Sequence, residues 1–214
     1  MNKYLVDGLR NSGLDPESVN SLKQEKFLSE MLRWNQRINL TAITEQTEAT
    51  EKHIVDSLLL LPFLGASRSL LDMGSGAGLP GIPLQLARPE LEVVSVDSVG
   101  KKINFQRHIK RLLELDNFLP LQVRLENLSE KLPQGKRFDL ITARAFSSLE
   151  TIVTMATPWL SPGGKILAMK GPEGKAEVSA VNKIITAAGL VVESIHEYQL
   201  PYSGADRQVI VLAA

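Results

Sequence analysis

The sequence predicts a doubly wound α/β fold: a mostly parallel sheet of seven strands that ends in a C-terminal antiparallel hairpin and is preceded by a helical N-terminal extension. Three observations predict it. From Ser69 onward short apolar runs alternate with helical stretches through short links, the pattern of a parallel sheet covered by helices on both faces. The last two extended stretches are separated only by Pro201 to Asp206. A parallel crossover needs about a dozen residues or more, so these two must pair antiparallel at one edge. Ahead of Ser69 the apolar spacing is helical. The chain divides into 1–66, an extension packed on the core, and 67–214, the α/β domain. Its 214 residues suffice for one well-filled core and are few for two independent ones.

In the extension, Asp15 followed by Pro16 is a helix start: a side-chain acceptor at the cap, then a ring with preset φ in the first turn. Val19, Leu22, Phe27, Met31, Trp34 and Ile38 then draw one apolar stripe along a long helix. Asn39 to Thr44 interrupts it, and a further helix is expected from about Thr47 to Leu61, ended by Pro62 and Gly65. The expected strands are 69–73, 92–97, 120–124, 138–143 and 165–170, then Val191 to Leu200 and Arg207 to Leu212. Helices are expected at about 80–88, 101–115, 148–160 and 173–189.

Composition narrows the function. There are no cysteines, which removes disulfides, thiolate metal sites, iron–sulfur clusters and cysteine nucleophiles. Hydrophobic residues make up 43% and charged residues 22%, which excludes general disorder. The longest apolar run, Leu58 to Leu64, contains Pro62 and is far below the roughly 20 residues that cross a bilayer. A cytoplasmic protein without membrane partners is expected. Lysine plus arginine equals aspartate plus glutamate at 24 each, so a nucleic-acid role must rest on a local patch. The histidines His53, His108 and His196 are dispersed, and no metal site is expected. Nothing calls for an obligate dimer, and a monomer is expected.

The strongest local signal is a strand running into Asp72-Met73-Gly74-Ser75-Gly76-Ala77-Gly78, with a helix behind it. Alternating glycines serve where φ is positive and where the backbone must approach a ligand closely. Asp97, at the end of the next strand, lies 19 residues beyond Gly78, where an acid can accept hydrogen bonds from ribose hydroxyls. Loop plus acid read as a nucleoside cofactor site. Gly76 to Gly81 also satisfies the dinucleotide pattern G-x-G-x-x-G, so a nicotinamide-dependent oxidoreductase is one reading. Two points favour S-adenosylmethionine. A carboxylate at Asp72 suits an ammonium and a sulfonium and would repel a pyrophosphate, and a terminal antiparallel hairpin is what methyltransferases add to the doubly wound sheet.

Several segments then resemble one family. Trp34-Asn35, Ile38 to Thr41 and His53-Ile54-Val55-Asp56-Ser57 are similar to the N-terminal signature of the bacterial 16S ribosomal RNA guanine-N7 methyltransferases, also called glucose-inhibited division protein B. So are Asp72 to Pro83 (DMGSGAGLPGIP), Asp97-Ser98, Phe138-Asp139, Arg144-Ala145 and Lys170-Gly171. The resemblance covers essentially the whole chain. Its most specific pieces are the GLPGIP extension of the glycine loop and the HIVDSL stretch. It implies a Rossmann-like class I methyltransferase fold, S-adenosyl-L-methionine as cofactor, and 16S rRNA or the small ribosomal subunit as partner. It also implies cofactor contacts at Gly74, Leu79, Leu125, Glu126 and Arg144. One departure is Lys102, where the family pattern has arginine; lysine offers a point charge in place of a planar fork.

The residues agree with that chemistry. Without cysteine the usual C5 methylation of pyrimidines and cluster-based radical methylation are closed. The Asn/Asp-Pro-Pro-aromatic tetrad used on exocyclic amines is replaced by Ala143-Arg144-Ala145-Phe146. Ring nitrogens with a free lone pair remain, and guanine N7 is one. It has no proton to lose, so no catalytic acid or base is expected, with Arg144 and Lys170 as positioning residues. Cofactor contacts are assigned to Asp72, Gly74, Gly76, Gly78, Leu79, Asp97, Leu125, Glu126 and Arg144; Arg144 also reads as an ordinary ion pair with a nearby aspartate. The stretch 101–111 carries Lys101, Lys102, Arg107, Lys110 and Arg111 without an acid. It reads as a phosphate-contacting face, extended by Lys170 and Arg207, or as a solvated helix surface. The rival substrate class is a small molecule, which neutral overall charge suits.

Overall fold

The computed structural model describes residues 2–214. The elements run α1 (Lys3–Asn11), α2 (Ser21–Ile38), α3 (Gln46–Ala49), a π-helical turn (Thr50–Val55), α4 (Asp56–Leu58), α5 (Leu61–Leu64), β1 (Ser69–Met73), α6 (Gly81–Ala87), β2 (Glu92–Asp97) and α7 (Gly100–Leu113). There follow β3 (Phe118–Gln122), a 3₁₀ turn (Leu125–Glu130), β4 (Phe138–Arg144), α8 (Leu149–Ala156), a 3₁₀ turn (Thr157–Trp159), β5 (Leu160–Lys170), α9 (Gly174–Ala187), β6 (Val191–Gln199) and β7 (Asp206–Ala213). The seven strands form one sheet in the order β3-β2-β1-β4-β5-β7-β6. All pairings among β1 to β5 are parallel, while β7 runs antiparallel to β5 on one side and to β6 on the other. The terminal hairpin is therefore folded back, with β6 at the edge. The strand order reverses beside β1, and the crevice at the carboxyl ends of β1 and β4 is where such sheets bind ligands.

Alternation along the strands divides the core. Leu71, Met73, Ile141, Ala143, Ile166 and Ala168 face the layer with α8. Leu70, Leu140 and Leu167 face the opposite layer, where Phe27, Leu28, Met31, Ile54 and Leu58 of the extension pack with α6 and α7. Trp34 lies 5.4 Å from Phe105 between ring centroids, so α2 is anchored on α7 through aromatic packing.

The extension differs from expectation in three places. Asp15 does not cap the long helix; its carboxylate accepts from the Glu17 amide in a separate turn. Asn20, in the left-handed region at φ 55, reverses the chain and caps α2 through the Lys23 amide. With the helix starting at Ser21, the buried stripe is Gln24, Phe27, Leu28, Met31 and Asn35. Leu22 falls off it and is 67% exposed. The single helix expected over 47–61 is broken into α3, the π-helical turn and α4, and Pro62 sits in the first turn of α5 instead of ending a helix, where a missing N–H costs nothing. Strand β3 begins two residues earlier than expected and contains Pro120, which a sheet edge tolerates.

Candidate active site

The glycine loop joins β1 to α6 and is fixed from below. Gly74, Gly76 and Gly78 have φ of 64, 58 and 92, values that strain any other residue. The Ser75 amide donates to the Val96 carbonyl at 3.0 Å. The Gln106 side-chain amide donates to Ser75 Oγ (2.9 Å) and to the Gly76 carbonyl (2.8 Å). Asp72, fully buried, accepts from the Gly81 amide at 3.0 Å and from Thr142 Oγ1 at 3.3 Å. Two neutral donors do not offset its burial, and its carboxyl is pushed up to about 7.

An open cleft of about 470 Å³ lies over this loop, lined by Gly74, Val96 to Val99, Lys102, Val123 to Glu126, Ala145, Phe146, Thr151 and Met155. Asp97 stands at the end of β2. Its Oδ2 accepts from the Gly76 amide (2.9 Å) and its Oδ1 from the Val99 amide (2.8 Å). These bonds hold the carboxylate at the cleft wall, and Lys102 Nζ reaches to within 3.9 Å of it. Beside Gly76 there is room: a side chain there would meet nothing closer than Lys102 Nζ at 4.0 Å. A Cβ on Gly74, by contrast, would fall 2.2 Å from the Phe146 ring.

A second cleft of about 350 Å³ adjoins the first and shares Ala145 and Phe146 with it. The extension supplies one wall (Ile43, Lys52, His53, Asp56) and the ends of β4, β5 and β7 supply the other (Arg144, Met169, Lys170, Arg207). Arg144 Nη1 donates to the Lys52 carbonyl at 2.7 Å and lies 3.6 Å from Asp56 Oδ2. Asp56 Oδ1 accepts from the Tyr198 hydroxyl at 3.0 Å, with Arg207 Nε at 3.9 Å. Burial raises the Asp56 carboxyl pKa, and the two guanidinium charges oppose that rise. His53 Nε2 is 3.0 Å from Thr41 Oγ1. Burial, reinforced by the Arg144 charge, brings His53 down to about 4, so the ring is neutral at pH 7. The hairpin turn closes the frame: the Tyr202 and Ser203 amides donate to buried Glu51 at 2.6 and 2.8 Å.

The residues singled out from sequence thus fall into three groups. Gly74, Asp97, Lys102, Leu125 and Glu126 line the first cleft, with Gly76 at its edge. Arg144, Lys170 and Arg207 line the second. Asp72, Gly78 and Leu79 are buried and absent from either lining; Asp72 reaches the site only through the turn it braces. The basic helix is not one continuous rim. Lys101 and Lys102 open α7 at the crevice, whereas Arg107 and Arg111 lie progressively farther along a helix that rises about 1.5 Å per residue and are exposed. Lys110 donates to the Phe118 carbonyl at 2.7 Å. Lys170 donates to the Ser147 carbonyl (2.7 Å) and to Glu177 (2.8 Å). Sequence reasoning missed Lys52, Asp56 and Phe146 as site residues. Phe146 ends the Ala-Arg-Ala-Phe stretch after β4, a position that could have drawn notice to it. Among the described residues there is no cluster of three metal-ligating side chains and no helix long and apolar enough to cross a membrane.

Solved structures share this architecture at low identity. An O-methyltransferase from Bacillus cereus, in complex with SAH, superposes with a TM-score of 0.59 at 17% identity, covering 88% of this chain and 91% of its own. TYW2 from M. jannaschii, in complex with AdoMet, gives 0.54 at 14% identity, over 68% and 67%. Closer relatives exist in sequence. The ribosomal RNA small subunit methyltransferase G of Syntrophotalea carbinolica is 49% identical over 99% of this chain and 97% of its own. That of Geobacter metallireducens is 43% identical over 97% and 94%. The family model for rRNA small subunit methyltransferase G matches residues 20–210. On a class I methyltransferase fold, and with relatives matched over nearly its full length, the chain belongs to the rRNA small subunit methyltransferase G family.

Proposed function

We propose that this protein transfers a methyl group from S-adenosyl-L-methionine to N7 of a guanine in 16S rRNA. The observation that carries the reading is the pair of adjoining clefts, one over the glycine loop with Asp97 in its wall and one walled by basic side chains, meeting at Ala145 and Phe146.

The first cleft fits the cofactor. Asp97 places a carboxylate where ribose hydroxyls can donate to it, Gly76 leaves the backbone open to close approach, and the 3₁₀ turn at Leu125-Glu126 supplies the wall beside an adenine. Gly74, against the Phe146 ring that the second cleft shares, would hold the methionine end of the cofactor. When bound, S-adenosylmethionine supplies an electrophilic methyl on a sulfonium. Transfer to guanine N7 would form an N–C bond as the S–C bond broke, leaving the electron pair on sulfur and the positive charge on the guanine ring. No proton moves. The second cleft matches that requirement: Asp56 is held by Tyr198 with Arg144 and Arg207 beside it, and neutral His53 is bonded to Thr41. Its residues orient and hold, and alignment alone supplies about 7–11 kcal/mol in favourable cases. Lys52, Lys170 and Arg207 offer charge to the RNA backbone at this mouth, and Lys101 does so from the start of α7.

The test is transfer of labelled methyl from S-adenosylmethionine to small ribosomal subunits and to naked 16S rRNA, followed by borohydride and aniline cleavage, which cuts RNA at 7-methylguanosine. One cleaved guanosine is the expected result. Label that enters RNA without creating an aniline-sensitive site would refute N7, and label confined to small molecules would replace the RNA reading altogether.

A further inference from the structure

Phe146 holds a position no other large side chain has. Among the described residues only it and Ala145 line both clefts, and Ala145 contributes no more than a methyl group. The chain is bent to put it there. Ala145 adopts a left-handed φ of 47 straight after β4, a strained conformation for a residue with a Cβ. The bend lays the ring against Gly74, its Cδ2, Cε2 and Cγ falling at 2.2, 3.0 and 3.1 Å from where a Gly74 Cβ would stand. The absence of a side chain at Gly74 is what admits the ring. Phe146 is half-buried and packs against the apolar cluster that includes Leu149 and Ile152. It is therefore held from behind while its remaining surface stands at the boundary the two clefts share.

The chemistry at such a boundary is restrictive. A cation stands on one side before transfer, as the sulfonium, and on the other side after it, as the methylated base. A lysine or arginine here would repel both cations and could donate to N7, blocking the lone pair that must attack. A carboxylate would attract the cations but compete with N7 as a nucleophile for the methyl. An aromatic face attracts a cation within about 6 Å, donates nothing to N7 and does not react.

We propose that the Phe146 ring is the surface across which the methyl passes, contacting the sulfonium from the first cleft and the acceptor base from the second, and favouring positive charge at both. This rests on the first cleft being the S-adenosylmethionine site. The test compares Phe146→Leu, which keeps an apolar side chain, with Phe146→Tyr, which keeps the ring. Calorimetry with S-adenosylmethionine and with its neutral product S-adenosylhomocysteine separates charge from shape. In Phe146→Leu the dissociation constant for the cationic ligand rises about three- to tenfold while that for the neutral one stays within about twofold; Phe146→Tyr keeps the wild-type ratio. Methyl transfer to small subunits at saturating cofactor falls in the leucine variant and returns in the tyrosine variant. Equal loss of both ligands in Phe146→Leu, or a wild-type ratio and rate in that variant, overturns the proposal. A wild-type protein that binds neither ligand brings down the cofactor site itself, and that outcome is told apart because no variant is needed to see it.

Discussion

The two clefts are built by opposite means. The first is made mainly of backbone: a bend of alternating glycines, a carboxylate held by two amides, and a 3₁₀ turn. The second is made of side chains and charge, with Asp56 between two guanidiniums and a phenol. Each has a buried aspartate behind it. Asp72 answers its burial chiefly with two neutral donors and more weakly with the Arg144 charge, Asp56 with two guanidiniums beside it. A backbone site depends on a few contiguous residues and is sensitive to any added Cβ. A charge-network site depends on distant segments and is sensitive to the loss of one partner. The first suits a cofactor of fixed shape. The second suits a flexible polyanion whose base must be held in register.

The comparison breaks most sharply at Gly76. Gly76→Val places a branched side chain where the protein leaves open space, in the path of the proposed ligand. Affinity for S-adenosylmethionine should drop at least about a hundredfold, equivalent to roughly 2.7 kcal/mol. Left-handed strain costs about 1–2 kcal/mol in its own right, and Gly163→Val isolates it. Gly163 has φ of 72 with nothing within 4 Å of a Cβ and lies in β5. Calorimetry on both variants should show binding lost in the first and kept in the second; binding retained by Gly76→Val places the cofactor elsewhere.

Arg144→Met should produce the reverse pattern. It leaves Asp56, only 4% exposed, without its nearest cation, a change that typically costs about 3–5 kcal/mol. It also frees the Lys52 carbonyl. Cofactor affinity should stay within about threefold, since Arg144 is outside the first cleft, while methyl transfer falls about a hundredfold through lost alignment. Adding Asp56→Leu to Arg144→Met should recover part of the stability, because a buried pair replaced by apolar groups is often neutral, without recovering transfer. Urea denaturation and single-turnover transfer on both variants check this. Transfer that returns with stability would make Arg144 a folding residue only.

The same contrast explains what was legible beforehand. The strand–helix alternation, the antiparallel hairpin and the glycine loop with Asp97 are local patterns, whereas the order of the strands in the sheet appears only in the structure. The second cleft was illegible as a constellation. Lys52 and Asp56 lie far in the chain from Arg144, Lys170 and Arg207 and meet them only because a π-helical turn, a register of three strands and a hairpin turn tied to Glu51 bring them together. Asp15-Pro16 misled because a left-handed Asn20 restarts the chain, and propensity alone carries no sign of that reversal. The residue type of Asp72 suits a cation but does not say which face of β1 it occupies; strand parity turns it to the side of Leu70 and beneath α6, where it accepts from the Gly81 amide.

Parity makes the smallest prediction, one of pH. Folding raises the Asp72 carboxyl from an ordinary value of 3.8 to about 7, so the folded state binds that proton more tightly than the unfolded one. The contribution to stability is complete below about pH 4 and is lost as pH rises towards 7. His53 runs the other way. Its folded value of about 4 lies below the ordinary 6.5, so its contribution is present above 6.5 and lost as pH falls towards 4. The two oppose each other across the same window and flatten the wild-type profile. Asp72→Asn removes one of them while keeping the bonds: its carbonyl can accept from the Gly81 amide and its amide can donate to Thr142 Oγ1. Relative to wild type, the variant should gain on the order of 1–3 kcal/mol at pH 8 compared with pH 4, from a displacement worth about 1.4 kcal/mol per pH unit. Urea midpoints at pH 4, 5, 6.5 and 8 measure the difference, and parallel profiles for the two proteins would mean that folding leaves the Asp72 carboxyl at its ordinary value.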